Sequence, residues 1–410
     1  MNQYDALVIG GGPAGASAAY WLARSGWDVA VIEKKVFPRE KTCGDGLTPR
    51  AVYELTEMGV VDQIETFHRY DGLRANAHGR TLEMPWPQHP KFPSHGFVVR
   101  RKDLDQIVLE HAAKAGAEVL YGHAGGQPTF ERGRVLGMTV TDKSGTERQI
   151  DAKYLVVADG ANSRTIRHLG ATRDRSFPMG MAIRGYFTSE MSTDPWIESH
   201  LDLRDRQGKS IPGYGWIFPL GDGTVNVGAG LLDTFTGWGD MNTSHLMTEF
   251  VHMLPEHWGI SPTDAIGPPT GGRLPTGGSI RPNVGPNWVL CGDAAGLVNP
   301  FNGEGISYAY QSGRMAAMAV GLALASGEDR ALTTYGDALE DEFKLYYKTA
   351  RLFVKAIGRP AVMRECTRVG MHSKPLMEWL LRIMANLLRP EERGPAEVAY
   401  QMASAIVARV

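Results

Sequence analysis

The sequence predicts an α/β fold in which a parallel-sheet domain is interrupted by an antiparallel-sheet domain and followed by a helical C-terminal region. Three observations carry this reading. A strand–turn–helix–strand unit opens the chain between Ala6 and Glu33. Two later apolar strands, Tyr154–Ala158 and Trp288–Cys291, each run into a turn built of Gly and Asp. Between them, residues 171–285 alternate apolar and polar positions, are rich in aromatics and Gly/Pro turns, and show no further βαβ pattern.

Ala6-Leu7-Val8-Ile9 is a continuous apolar run of the kind buried on both faces of a parallel sheet. Gly10-Gly11-Gly12-Pro13-Ala14-Gly15 follows, and an Ala-rich helix extends to about Ser25. Gly26 ends it, Val29-Ala30-Val31-Ile32 forms the second strand, and Glu33 stands at that strand's end. The unit is Rossmann-like. Gly10 makes the tight turn, Gly12 lets backbone approach a pyrophosphate, and Gly15 lets helix and strand pack. The helix N-terminus meets the phosphate charge, and Glu33 is placed to accept from ribose hydroxyls. A carboxylate there repels a 2′-phosphate, so NAD or FAD is expected rather than NADP.

Residues 34–50 form a polar loop containing Cys43-Gly44-Asp45-Gly46, and Thr48 is placed to cap a helix starting at Pro49. Residues 71–95, with several Pro and His and with Trp86, leave the first sheet. A helix is expected from Arg100 to Ala115, a strand at Glu118–Tyr121, and a hairpin over 135–150 around Lys143-Ser144-Gly145. Asp159-Gly160 and Gly292-Asp293 follow the two later strands, and Pro300–Gly305 leads into an apolar helix to about Ala325. The implied cofactor domain is discontinuous, over 1–70, 96–170 and 286–330. The implied substrate domain takes 71–95 and 171–285, and 331–410 is helical.

In Lys374–Pro390 the polar residues Lys374, Glu378, Arg382 and Asn386 recur every four positions, with Glu378 and Arg382 spaced for an i,i+4 pair. The remaining face is apolar. Core packing is the ordinary destination of such an arc; lipid or a prenylated substrate, and a second subunit, are the alternatives.

Composition narrows the function. The 410 residues carry 43 basic and 45 acidic side chains, which leaves no electrostatic footprint for nucleic acid. Three separated cysteines without CxxC, and twelve histidines without HExxH, give no disulfide framework and no metal site. The N-terminus lacks a basic signal-peptide region, and the apolar run Met315–Ala325 is about half a membrane span, so a cytoplasmic protein is expected. The 49 glycines are in excess and gather in short loops between apolar runs, as they do where a ligand approaches backbone.

The first turn, Asp159-Gly160 and Gly292-Asp293 together resemble the FAD-binding pattern of the para-hydroxybenzoate hydroxylase-like flavoproteins. Within that superfamily, Lys41-Thr42-Cys43-Gly44-Asp45-Gly46-Leu47-Thr48-Pro49-Arg50 is similar to the Cys-containing loop of the geranylgeranyl reductases, especially their actinobacterial menaquinone-reducing branch. Tyr214-Gly215-Trp216-Ile217-Phe218-Pro219, with Gly228-Ala229-Gly230, resembles that family's YxWxFP…GxG motif. Halogenases carry a related motif, with tryptophan where Tyr214 stands. The resemblance implies FAD held by Gly10, Gly12, Gly15, Glu33, Arg101, Asp293, Gly303 and Gly305. It also implies a prenyl cavity lined by Tyr214, Trp216 and Phe218, and a reactive centre formed by Cys43, Trp216 and Tyr214. The implied activity is saturation of C=C bonds in a polyprenyl chain, on menaquinone or a geranylgeranyl group, by hydride from reduced flavin. An aromatic monooxygenase or halogenase is the alternative.

With no second dinucleotide unit, NAD(P)H or another external reductant is expected to visit transiently. A prenylated or lipid substrate also makes peripheral contact with the inner membrane face, through the C-terminal helix, a reasonable expectation. The residues leave other roles open: Arg101 is also spaced to pair with Asp105, Asp159 to cap a helix, and Tyr214, Trp216 and Phe218 to face a core.

Overall fold

The computed structural model describes residues 3–204, 208, 210–235, 243–389 and 391–409; Met1, Asn2 and Pro390 lie outside them. Tyr4–Ile9 pairs in parallel with Val29–Glu33 on one side and Glu147–Val157 on the other, and Glu118–Tyr121 extends the sheet beyond Val29–Glu33. Ala6, Leu7 and Val8 have no exposed surface, as their unbroken apolar run requires. Helix Pro13–Arg24 packs between Arg101–Lys114 and Ile306–Ser326, joining distant segments in one layer.

Strand Glu147–Val157 serves two sheets. Its first half pairs antiparallel with Arg134–Thr141, which pairs on with Ala124–Glu131. Its second half pairs in parallel with Trp288–Leu290. The side chain of Asn287 stitches the junction: it accepts from the Val135 N–H at 2.9 Å and donates to the carbonyls of Val135 (2.7 Å) and Lys153 (2.8 Å).

The second large sheet runs Ala265–Pro275, Met179–Thr188, Thr224–Leu232, Gly213–Pro219, Trp196–His200, Gly72–Ala77, Arg80–Pro85. The expectation of an antiparallel sheet needs one correction: Trp196–His200 and Gly72–Ala77 are parallel. More than a hundred residues, including most of the first sheet, separate these two strands. No hairpin constrains their direction, and so long a crossover permits the parallel arrangement. One face of this sheet packs Ile183, Ile217, Val225 and Val227 against Phe250 and Trp258, from Thr243–His252 and the turn after it. The opposite face carries Tyr186 and Phe218 toward the C-terminal helices.

The helix expected over Lys374–Pro390 ends at Met384. The Met384 carbonyl, one of the groups a helix end leaves without an intrahelical partner, accepts from Asn299 (2.9 Å), Asn302 (3.1 Å) and Tyr346 (3.0 Å). Asn386 then turns left-handed, φ 54°. The expected Glu378–Arg382 pair is also corrected. Arg382 reaches Glu397 on Pro395–Arg409 at 3.3 Å, and Glu378 faces Lys374 at 4.0 Å. Met377, Leu381, Ala385 and Leu387 are buried with Tyr70, Trp86 and Tyr186, so these residues of the arc pack on the second core, while Ile383 and Met384 pack against the first. The exposed apolar side chains of the C-terminal region include Val398, Met402 and Ile406 on the last helix. Among the described residues no helix is long and apolar enough to cross a membrane.

Replacing Asn287 with Leu leaves the buried Val135 N–H and two carbonyls without partners. We expect a loss of about 2–4 kcal/mol in urea unfolding of the FAD-saturated protein. An unchanged midpoint contradicts the stitching role.

Candidate active site

The first turn is built for a phosphate group. Gly10 has φ 100°, and a Cβ there would sit 2.5 Å from the Ala158 carbonyl oxygen. A Cβ on Gly15 would collide with the Gly10 carbonyl, so both positions require glycine. At Gly12 the nearest neighbour of an added Cβ is Arg39, 3.7 Å away, and no side chain caps the Pro13–Arg24 helix. Its N-terminal N–H groups and dipole therefore remain available to an anion. Charge supports this. The guanidiniums of Arg101 (2.7 and 2.8 Å) and Arg39 (2.8 Å) share the single carboxylate of Asp105.

Glu33 is buried at the end of its strand, where one carboxylate oxygen accepts from the Gly11 N–H (2.9 Å) and the other from Lys35 (2.8 Å). Two backbone amides thus fix its orientation beside the turn.

The Cys43 loop crosses from this region to the second sheet. Cys43 is half-buried, and burial pushes its thiol up from the ordinary range while the neighbouring Arg101 guanidinium opposes the shift. The thiol therefore keeps its proton at neutral pH. Gly44 and Gly46 lie flat on the Phe218 ring, which is 3.0 Å from a Cβ placed at either position.

Tyr214, Trp216 and Phe218 occupy alternate positions of one strand and share a face. Their ring centroids are 6.0 Å and 6.2 Å apart in sequence. Gly215, between them, points to the opposite face, against Phe250. Trp216 is almost fully buried; its indole N–H donates to Asn226 at 3.0 Å. Tyr214 donates to the Asn302 carbonyl at 2.5 Å, fixing the turn that carries Gly303 and Gly305. Gly303 is left-handed at φ 73°, with Tyr214 Oη 3.8 Å from an added Cβ. Asp293 Oδ1 lies 3.5 Å from the same point on Gly305.

Asp293 makes no side-chain hydrogen bond among the described residues. Burial raises its pKa against the pull of Lys41 and Arg101, which leaves a carboxylate in need of a polar partner. Asp159 accepts from Thr165 (2.9 Å), and its other oxygen is buried without a protein partner.

The residues named from sequence therefore fall into two neighbourhoods. Gly10, Gly12, Gly15, Glu33 and Arg101 surround the first turn. Cys43, Tyr214, Trp216, Phe218, Asp293, Gly303 and Gly305 lie where the two sheets and the Asn302 turn meet. Sequence reasoning assigned no role to Arg39, Asp45 or Asn226. Asn226 had a usable signal, as a polar residue inside the apolar strand Thr224–Leu232; Arg39 and Asp45 had none beyond a loop position.

The FAD binding domain family matches residues 3–199. A menaquinone reductase of Mycolicibacterium smegmatis is 40% identical over 396 residues, covering 96% of this chain and 94% of that one. The chain belongs to the geranylgeranyl reductase family of FAD-dependent oxidoreductases. A geranylgeranyl diphosphate reductase of Rhodobacter capsulatus is 31% identical over 357 residues, 85% of this chain and 83% of that one. The crystal structure of a geranylgeranyl bacteriochlorophyll reductase-like protein from Thermoplasma acidophilum shares the fold, with TM-score 0.80 at 21% identity, covering 98% of this chain and all of that one. FAD is the family's cofactor, and the glycine cradle, the two guanidiniums beside it and the unpartnered Asp293 carboxylate fit it.

Two outcomes follow. Gly15→Ala forces helix and turn apart, an overpacking cost of about 1–3 kcal/mol, so FAD binding by fluorescence titration weakens about 10–100-fold. Unaltered FAD affinity contradicts the cradle. At pH 8 iodoacetamide alkylates exposed Cys366 before Cys43, as read by peptide mass; preferential labelling of Cys43 contradicts a protonated thiol.

Proposed function

We propose that this protein reduces a C=C bond in the isoprenoid side chain of menaquinone. The observation that carries the reading is the convergence of the Tyr214–Trp216–Phe218 face, the Cys43 loop and the Asn302–Gly305 turn on one place. The 40% identity to a menaquinone reductase over almost the whole of both chains supports menaquinone among prenyl substrates. A geranylgeranyl group is the nearest relative of that chain and the first comparison substrate.

An isolated alkene is a poor hydride acceptor, so the protein must favour charge that develops during transfer. When bound and reduced, FAD supplies the hydride. Trp216 and Phe218 present ring faces that attract positive character on the more substituted alkene carbon. Their apolar surface also holds the chain and excludes water. Tyr214 keeps the Asn302 turn in register through its hydrogen bond, which fixes the backbone of Gly303. Cys43, held protonated by burial, is the candidate donor or relay for the proton that completes the second C–H bond. Hydride and proton together add two electrons and two hydrogens, and an external reductant such as NAD(P)H restores the electrons.

The test is anaerobic. Reduced holoenzyme is mixed with menaquinone, the quinone ring is reoxidised in air, and the product is fragmented in a mass spectrometer. We expect a gain of about two daltons on the prenyl fragment, the mass of the added hydride and proton. Gain confined to the ring, or an oxygen-dependent aromatic product, contradicts the proposal. Full turnover by a Cys43→Ala variant that retains FAD removes Cys43 from the proton path.

A further inference from the structure

Asp45 is the most constrained ionisable group outside the residues assigned above. It has no exposed surface and a left-handed backbone, φ 67°, which only a few non-glycine residues tolerate. One carboxylate oxygen accepts from Tyr186 Oη (2.6 Å) and Asn226 Nδ2 (2.7 Å); the other accepts from the Arg101 N–H (3.2 Å). These donors come from three separate elements: Met179–Thr188, Thr224–Leu232, and the N-terminus of Arg101–Lys114.

Asn226 completes the circuit. Its amide also donates to the Cys43 carbonyl (2.9 Å) and accepts from the Trp216 indole (3.0 Å). Cys43 and Trp216 are thereby tied to opposite ends of one side chain, and Asp45 accepts from the same Nδ2 that holds the Cys43 carbonyl.

We propose that Asp45 is a positioning residue that locks the Cys43 loop to the Trp216–Phe218 wall, so that thiol and rings face the bound substrate as one rigid unit. The role deepens the reading of the site as a prenyl reductase and rests on it for its consequence in turnover.

Charge is consistent with an acceptor role. Every partner donates to the carboxylate, and the helix N-terminus at Arg101 favours the anion. Arg184, from the strand of Tyr186, adds attraction and pairs in turn with Glu40; Arg100 and the Cys43 thiol are the other titratable groups near it. Burial nevertheless pushes the Asp45 carboxyl up to about 6, so the lock is held above that pH and loses an acceptor as pH falls through it.

The test uses FAD holoenzyme carrying Asp45→Asn or, as the milder change, Tyr186→Phe, which removes one hydrogen bond without removing charge. Deuterium uptake by the segment 40–47 is compared with wild type at one pH above 7, without substrate. Loss of a hydrogen bond to a charged group predicts uptake about tenfold faster in both variants, with FAD content unchanged. With menaquinone, kcat falls about tenfold while KM changes little, because misplacement affects the reacting geometry more than chain binding.

Unchanged uptake in both variants overturns the proposal, as does loss of FAD in both, which makes Asp45 a support of the cofactor cradle instead. Faster uptake in Asp45→Asn alone also overturns it, since charge and not the bonded lock then sets the loop. If wild-type enzyme leaves the prenyl chain untouched, the menaquinone reading fails on that result, while the uptake comparison still decides the lock.

Discussion

The amide of Asn226, on the second sheet, joins that sheet to the Cys43 loop. It has no solvent to turn to, and a buried amide left unpaired costs about 1–3 kcal/mol for each lost bond. Its donors and acceptor are satisfied by the Cys43 carbonyl, Asp45 and Trp216, which come from both sides of the site. The second sheet is thus joined to the Cys43 loop through polar contacts of fixed geometry, with the Trp216 and Phe218 rings beside them. A purely hydrophobic junction would tolerate sliding; directed hydrogen bonds do not.

The same logic extends to the C-terminal region. Helix Lys374–Met384 ends with its last carbonyl on Asn299 and Asn302, the turn that also receives Tyr214. Arg50, beyond the Cys43 loop, donates to the Asn386 carbonyl (3.1 Å) and to Gln311 (2.6 Å). The segment after residue 331 is therefore anchored to the backbone of the site. Its helix stops where the turn supplies the donors that its end requires.

Much of the fold was legible in the sequence, because buried parallel strands leave unbroken apolar runs and tight turns leave glycines. Thr48 does cap the helix at Pro49, and Glu118–Tyr121 is the strand expected. The parallel pairing of Trp196–His200 with Gly72–Ala77 was not legible, because register between strands so far apart depends on tertiary packing. The end of the 374–384 helix was missed for a similar reason: its apolar period runs on past Met384, where distant Asn299, Asn302 and Tyr346 take the last carbonyl. Asp45 and Asn226 belong to the same class. Their importance lies in distances across 181 residues of sequence, which no local pattern encodes.

The central claim is that a prenyl chain, and not an aromatic ring, occupies the space where the Cys43 loop, the Tyr214–Phe218 face and the Asn302 turn converge. The most direct measurement is a crystal structure of the reduced holoenzyme with menaquinone bound under anaerobic conditions. The account predicts an isoprenoid double bond against the flavin, bounded by Cys43, Tyr214 and Trp216. A naphthoquinone ring in that position, with the prenyl chain directed away into solvent, would contradict it.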